Sequence, residues 1–233
     1  MTAARDRSSR GHDGLSPPEA ARVYDRIGRL QDTQAPFERP ALGRLVGAGA
    51  FEQAGSVVEI GSGTGSLARR LLAVPLPPTA TYEGVEVSSH MVDLARWRIA
   101  PWASRARVVQ TDGTLPLAYP DASADRVIAA YVLDLLKPDY AEALVREAHR
   151  LLVPDGLLCL ASLTWGRSRT ARIVSAGWSA LWRRAPRLVG GCRPIELRPL
   201  LDDDSWEVIE DTLVESFGVP SLVVVAAARP AAG

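Results

Sequence analysis

Lysine is almost absent from this chain of 233 residues: of its 27 basic residues, only Lys137 is not arginine. Histidine and cysteine are nearly as scarce. His12, His90 and His149 are scattered through the chain and form no metal-ligand spacing, so no metal site is expected. Two cysteines, Cys159 and Cys192, supply neither a disulfide framework nor a zinc pattern, and this favours a reducing, cytoplasmic compartment. Cys159 lies in the apolar run Leu157-Leu158-Cys159-Leu160 and reads as a core residue. An excess of charge of one sign is also lacking, because 27 acids balance 27 bases. The whole chain therefore carries no electrostatic footprint for nucleic acid. The apolar run from Leu222 to Ala228 is too short to span a bilayer. Arg5, Asp6, Arg7 and Arg10 have no apolar stretch behind them, unlike a signal peptide. What remains, 47% hydrophobic and 23% charged residues, is the balance of one globular domain with a full-sized core.

Order is expected to begin after a polar tail of residues 1–15. Ser16-Pro17-Pro18-Glu19 is a capping box with proline at the first helical position. The helix behind it carries Val23, Ile27 and Leu30 on one stripe, and a second helix is expected near 37–48. Strands are then expected near 56–60, 81–87, 107–110, 125–130 and 157–162. Helices fall between them near 65–73, 89–99 and 139–152, the last stopped by Pro154-Asp155-Gly156. Such alternation predicts an α/β fold, a mostly parallel sheet covered on both faces. The end differs: Trp206 to Phe217, a turn at Gly218-Val219-Pro220-Ser221, then Leu222 to Ala228. So short a connection makes the last two strands an antiparallel hairpin. The domain thus divides into N-terminal helices (16–50), a core (56–163), an insert (165–198) and the hairpin (205–229).

The most informative segment is Val57-Val58-Glu59-Ile60-Gly61-Ser62-Gly63-Thr64-Gly65, a strand running into a glycine turn ahead of a helix. That order frames a nucleotide site. A dinucleotide fingerprint spaces its glycines as G-x-G-x-x-G/A, whereas here the third glycine comes one position early. No lysine follows the glycines, as a phosphate loop would need. An acid closes the second strand at Glu86, and Asp112-Gly113 follows the third.

With these features in register, the chain resembles the class I S-adenosylmethionine-dependent methyltransferases, over roughly residues 56–163 and the terminal hairpin. The matching runs are Val58 to Gly65, Gly84-Val85-Glu86-Val87-Ser88, Thr111-Asp112-Gly113 and Arg146 to Gly156. Within that class it is most similar to the small-molecule branch related to quinone-biosynthesis methyltransferases, from which Asp155 departs where glycine is usual. The resemblance implies a Rossmann-like seven-stranded sheet and S-adenosylmethionine as cofactor. It implies that Glu59 attracts the methionine amine and that Gly61, Ser62, Gly63 and Gly65 pass the thioether chain along bare backbone. Glu86 would accept the ribose hydroxyls, Asp112 and Gly113 would meet the adenine edge, and Val87 and Met91 its face. Tyr131, after the fourth strand, belongs to the same set. Each residue also has a plainer reading: Glu59 as a helix cap, Glu86 as a solvated strand end, Asp112-Gly113 as a turn pair, Met91 as core. A catalytically silent cofactor-binding protein and an NAD-dependent oxidoreductase stand as alternative functions.

The acceptor is expected to be small and apolar or aromatic. Sulfonium methyl transfer needs alignment and exclusion of water, and a base only if the acceptor must first lose a proton. Asp134 stands where the quinone branch often has histidine and is the candidate base, with a helix cap or solvated acid as its plainer reading. Tyr24, beside Asp25 and Arg26, is the candidate lid residue. The Asn/Asp-Pro-Pro-aromatic signature of amino-group DNA methylation is absent, which argues against a nucleic-acid acceptor. The insert holds Trp165, Trp178 and Trp182 among eight arginines and a single acid, Glu196. Val174, Trp178 and Leu181 share a helical face in it. It reads as a lid touching a membrane surface, as a homodimer contact, or as a cap whose arginines pair with the seven acids from Asp202 to Glu215.

Overall fold

The computed structural model describes residues 14–28, 35–169, 172, 176, 177 and 192–230. Two helices lead: α1 (Pro17–Ile27) and α2 (Ala35–Ala48). The capping box of α1 forms as expected: the Ser16 side chain and the Glu19 carboxylate each serve the other's backbone N–H. Strands β1 (Ser56–Ile60), β2 (Thr81–Glu86), β3 (Ala106–Gln110), β4 (Ala124–Ala130) and β5 (Leu152–Leu163) follow, with α3 (Ser66–Ala73), α4 (Ser89–Ile99) and α5 (Pro138–Leu151) among them. Strands β6 (Trp206–Ser216) and β7 (Val219–Ala228) close the chain.

These strands form one seven-stranded sheet in the order β3-β2-β1-β4-β5-β7-β6. The first five run parallel, β7 pairs antiparallel with β5, and β6 pairs antiparallel with β7. The α/β expectation and the terminal hairpin both hold. Cys159 sits among Leu158, Leu160 and Ala161, packed beside Val223 to Ala226, and almost none of this block is exposed. Helix α5 buries Ala141, Leu144, Val145, Ala148 and Leu151, an i, i+3, i+4 stripe that lays it on the sheet.

Several boundaries differ from expectation for local reasons. Helix α5 stops at Leu151 and the chain enters β5 at once, so Pro154-Asp155-Gly156 lies inside the strand. There the register against β4 jumps from Ala124↔Leu152 to Arg126↔Leu157, and Asp155 takes a positive φ of 62°. This bulge absorbs the missing proline N–H. The hairpin turns at Phe217-Gly218, both left-handed, so Val219 and Pro220 already pair in β7. Leu15 is not tail: its N–H donates to the Leu135 carbonyl at 2.7 Å. Residues 1–13, Leu30 and the expected insert helix with Val174, Trp178, Leu181 and Trp182 lie outside the described residues. Among the described residues, no helix is long and apolar enough to cross a membrane.

Phe217 holds φ at 50° and is 81% exposed, its ring edge-on to Phe37. A bulky side chain is costly in that backbone region, whereas asparagine tolerates it. Phe217→Asn is expected to raise stability by about 0.5 kcal/mol, once the lost aromatic contact is subtracted. A urea titration showing a lower midpoint would contradict this.

Candidate active site

In an open parallel sheet, ligands bind where strand order reverses, outside the carboxyl ends of the strands. Here the reversal lies between β1 and β4, and a cavity opens there. Its walls come from the ends of all four neighbouring strands: Ile60, Gly61 and Gly63 after β1, Val85 to Val87 at β2, Thr111 and Gly113 after β3, and Ala130 to Val132 after β4.

The glycine turn is fixed by backbone geometry. Gly61, Gly63 and Gly65 all have positive φ, at 71°, 51° and 74°. A Cβ on Gly61 would lie 2.4 Å from Val132 Cγ2, and one on Gly65 would lie 2.9 Å from the Ala95 backbone in α4. Two of the glycines therefore serve the packing of the protein against itself as well as access for a ligand. Glu86 ties the turn to β2. Its Oε2 accepts from the Gly63 N–H, and its Oε1 from the N–H groups of Val87 and Ser88, all at 2.9 Å. Burial pushes the Glu86 carboxyl above its ordinary pKa, and the three N–H bonds pull it back. A buried, hydrogen-bonded acid is not a solvated strand end.

Glu59 lies behind the turn and does not line the cavity. It is 3% exposed, and its Oε2 accepts from the Tyr82 hydroxyl. Burial raises its pKa to about 8, against the lowering effect of the Tyr82 bond. Helix α3 is capped by Gly65, so Glu59 does not act as its cap.

Helix α1 covers the cavity with Pro17, Ala20 and Tyr24. Asp25 fastens it, accepting from Ser88 Oγ at 2.6 Å where α4 begins. Tyr24 is hydrogen-bonded to Cys192, and burial raises its phenol well above the ordinary range, with the Cys192 and Asp134 charges adding to the effect. Asp134 is wholly buried. Its Oδ2 accepts from the Leu163 N–H at 3.1 Å, while Oδ1 has no hydrogen-bond partner. Burial lifts its pKa to about 7, offset in part by the Leu163 bond and the Arg193 charge. Lys137 occupies the cap position of α5, so Asp134 is neither a cap nor a solvated acid.

Of the residues expected from the sequence, Gly61, Gly63, Glu86, Val87, Gly113, Tyr131 and Tyr24 come together around the cavity. Ser62, Gly65, Met91 and Asp134 do not line it. Met91 is fully buried, as the core reading had it. Asp112 borders a shallow neighbouring groove with Pro17, Pro18 and Gln110, and its Oδ1 already accepts from the Thr114 N–H at 2.8 Å. The Gly113 N–H donates to Thr111 Oγ1 and its carbonyl accepts from Tyr140. Tyr140, Leu135, Leu136, Val132 and Pro17 were not expected in the site. Only the capping box hinted at Pro17, because the box fixed where α1 begins. The matched run at the end of α5 has a structural duty: Glu147 accepts from the Leu117 N–H at 2.7 Å and pairs with Arg150, pinning the helix-free loop 111–123 that carries Thr111 and Gly113. Of the acids expected to pair with the insert, Asp203 meets Arg198 and Glu215 accepts from the backbone of Arg167 and Ser168, but Glu210 pairs with Arg44 of α2. Among the described residues no His, Cys, Asp and Glu cluster could hold a metal.

Comparison with known proteins agrees with this geometry. A family model described as a methyltransferase domain matches residues 57–156. The crystal structure of the [4+2]-cyclase SpnF superimposes with a TM-score of 0.70 at 16% identity, over 94% of this chain and 99% of that one. The N-methyltransferase NodS of Bradyrhizobium japonicum WM9, in complex with S-adenosyl-L-homocysteine, does so at 0.68 and 16%, over 91% and 99%. An O-methyltransferase family protein of Burkholderia thailandensis gives 0.64 and 18%, over 92% and 60%. No curated protein sequence matches the chain. The chain has the class I S-adenosylmethionine-dependent methyltransferase fold, and the stretch that matches the family model is the sheet core from β1 to β5.

Proposed function

We propose that this protein moves the methyl group of S-adenosylmethionine, by in-line displacement, onto a small apolar or aromatic acceptor. The observation that carries the reading is the cavity at the sheet's switch point. One side of it is a bare glycine turn with a buried acid, and the other is apolar and aromatic: Tyr24, Tyr131, Leu135, Leu136, Tyr140 and Leu144.

The residues suit such a cofactor. When bound it supplies an activated methyl on a sulfonium. Glu86 presents a carboxylate to the ribose hydroxyls, and a charged acceptor strengthens those bonds. Glu59, behind Gly61, supplies negative charge toward the methionine amine by giving up its proton as that amine binds. Gly113, Thr111 and Val87 border the adenine end, and Asp112 takes part from the groove outside. Helix α1 excludes water by laying Pro17 and Tyr24 over the opening. On the acceptor side, Asp134 holds or takes a proton at Oδ1, and Tyr24, linked to Cys192 and acted on by the Asp134 charge, lines the cavity. A NodS structure with S-adenosyl-L-homocysteine bound supports the cofactor assignment by analogy of fold.

The fold is also that of a protein described as a [4+2]-cyclase, which supports a second reading: the cofactor is held and no methyl moves. Calorimetry separates the first question from the second. S-adenosylmethionine and S-adenosyl-L-homocysteine are expected to bind at micromolar concentrations, about −8 kcal/mol, and NAD not at all. Preferential NAD binding would sink the cofactor assignment. Release of S-adenosyl-L-homocysteine during incubation with a panel of phenols, amines and apolar enols then distinguishes transfer from silent binding.

A further inference from the structure

Tyr82 stands one layer behind the cavity, and strand geometry shows what it does there. In the β1–β2 pair Val57 lies opposite Tyr82 and Glu59 opposite Gly84. Residues two apart share a face, so Tyr82, Gly84 and Glu86 lie on the face of Glu59. Two residues of strand span roughly 6.6 Å, about the reach of a tyrosine laid along it. The Tyr82 ring follows that course and brings its hydroxyl to Glu59 Oε2 at 2.5 Å. Gly84 leaves the passage open: a Cβ there would stand 3.1 Å from the Tyr82 hydroxyl and 2.9 Å from Ser62. Both partners are nearly sealed, Tyr82 at 2% and Glu59 at 3% exposure.

We propose that Tyr82 is a positioning residue for cofactor capture: its hydroxyl fixes Glu59 Oε2 and favours the carboxylate form that Glu59 adopts when the methionine ammonium arrives. This rests on the reading of the glycine turn as an S-adenosylmethionine site. A buried carboxylate is costly unless a donor satisfies it. The phenol of Tyr82, itself raised well above its ordinary range, remains a donor at every working pH. It offsets two influences that favour the neutral acid, burial and the charge of Glu86. The titratable groups acting on Glu59 are Tyr82 and Glu86, both from β2. Within the turn only Ser62 and Thr64 are polar, and Arg98 of α4 donates to Thr64 Oγ1 at its far end. Binding an ammonium then releases the Glu59 proton, and affinity rises with pH toward the Glu59 titration near 8, up to the point where the ligand amine itself loses its proton.

The test is calorimetric binding of S-adenosyl-L-homocysteine and of 5′-methylthioadenosine, which lacks the ammonium, to the wild-type chain and to Tyr82→Phe between pH 6 and 9.5. The variant is expected to bind S-adenosyl-L-homocysteine about tenfold more weakly at pH 7, with the gap closing at high pH, and to bind 5′-methylthioadenosine as the wild type does. Equal losses for both ligands at every pH would overturn the proposal and leave Tyr82 as packing. Should Tyr82→Phe unfold, 3-fluorotyrosine at position 82, a stronger donor of nearly the same size, decides the matter. It is expected to move the pH midpoint for S-adenosyl-L-homocysteine downward, and an unmoved midpoint overturns the proposal. Failure of the wild type to bind either ligand would refute the cofactor assignment instead.

Discussion

Glu86→Ala is expected to loosen the cradle and lose the cofactor together. Three backbone N–H groups, of Gly63, Val87 and Ser88, donate to this one carboxylate. Alanine leaves them without a partner in a site that is 6% exposed. An unsatisfied buried donor costs about 1–3 kcal/mol. Water entering the emptied space would relieve part of this, so a stability loss of about 3–4 kcal/mol is the expected result of urea unfolding. Glutamine separates the two roles. Its carbonyl keeps some of the backbone bonds while the charge is gone, so Glu86→Gln should retain most of the stability. Cofactor affinity should still fall by about 1.5–3 kcal/mol, the range for hydrogen bonds to a charged group. Glutamine that binds S-adenosylmethionine as tightly as glutamate would show that the acid serves the turn and not the ribose.

This double duty explains where sequence reading succeeded and where it stopped. The glycine spacing, Glu86 and the strand–helix alternation were legible because each is local: a few residues fix a turn, a strand end or a helix face. The antiparallel end of the sheet followed from the short connection between the last two strands. Partnership across the sheet was not legible. Nothing in Tyr82-Glu83-Gly84 announces that the tyrosine runs over the glycine to Glu59, since that depends on the β1–β2 register. Likewise Asp134 looked like a loop acid because its burial is produced by Leu163 of β5 and the segment at Cys192 and Arg193, far along the chain. Asp112 shows the opposite failure. Its motif was plain, yet its carboxylate engages the Thr114 N–H, as Asp in a tight turn often does. Gly61 and Gly65 were read for ligand access, but the contacts with Val132 and Ala95 that also demand glycine come from elements distant in sequence.

The ligand-free protein is expected to lose stability steadily as pH rises from about 4 to about 8, the reverse of ordinary acid denaturation. The sign follows from three buried acids whose pKa is raised by folding: Glu59 to about 8, Asp134 to about 7, and Glu86 upward. In the unfolded chain Glu59 and Asp134 release their protons near the ordinary carboxylate value, while the folded chain still holds them, and Glu86 shifts in the same direction. The stabilising contribution is therefore complete below the unfolded pKa and is lost as pH climbs through the folded one. Each unit of difference is about 1.4 kcal/mol, and relaxation and water penetration reduce the sum, so a decline of about 3–5 kcal/mol is expected. Exposed acids that oppose this trend, such as Asp112 beside Thr114, are in solvent and contribute little. Asp134→Asn tests the assignment directly. An amide cannot ionise, can still accept from the Leu163 N–H, and should flatten the part of the slope that ends near pH 7. Urea midpoints across that pH range would show it. A wild-type curve that rises between pH 5 and 8, or an Asp134→Asn curve parallel to it, would mean that these carboxyls are ionised in the folded protein. Asp134 would then be a carboxylate at neutral pH, with no proton to lose before it could accept one.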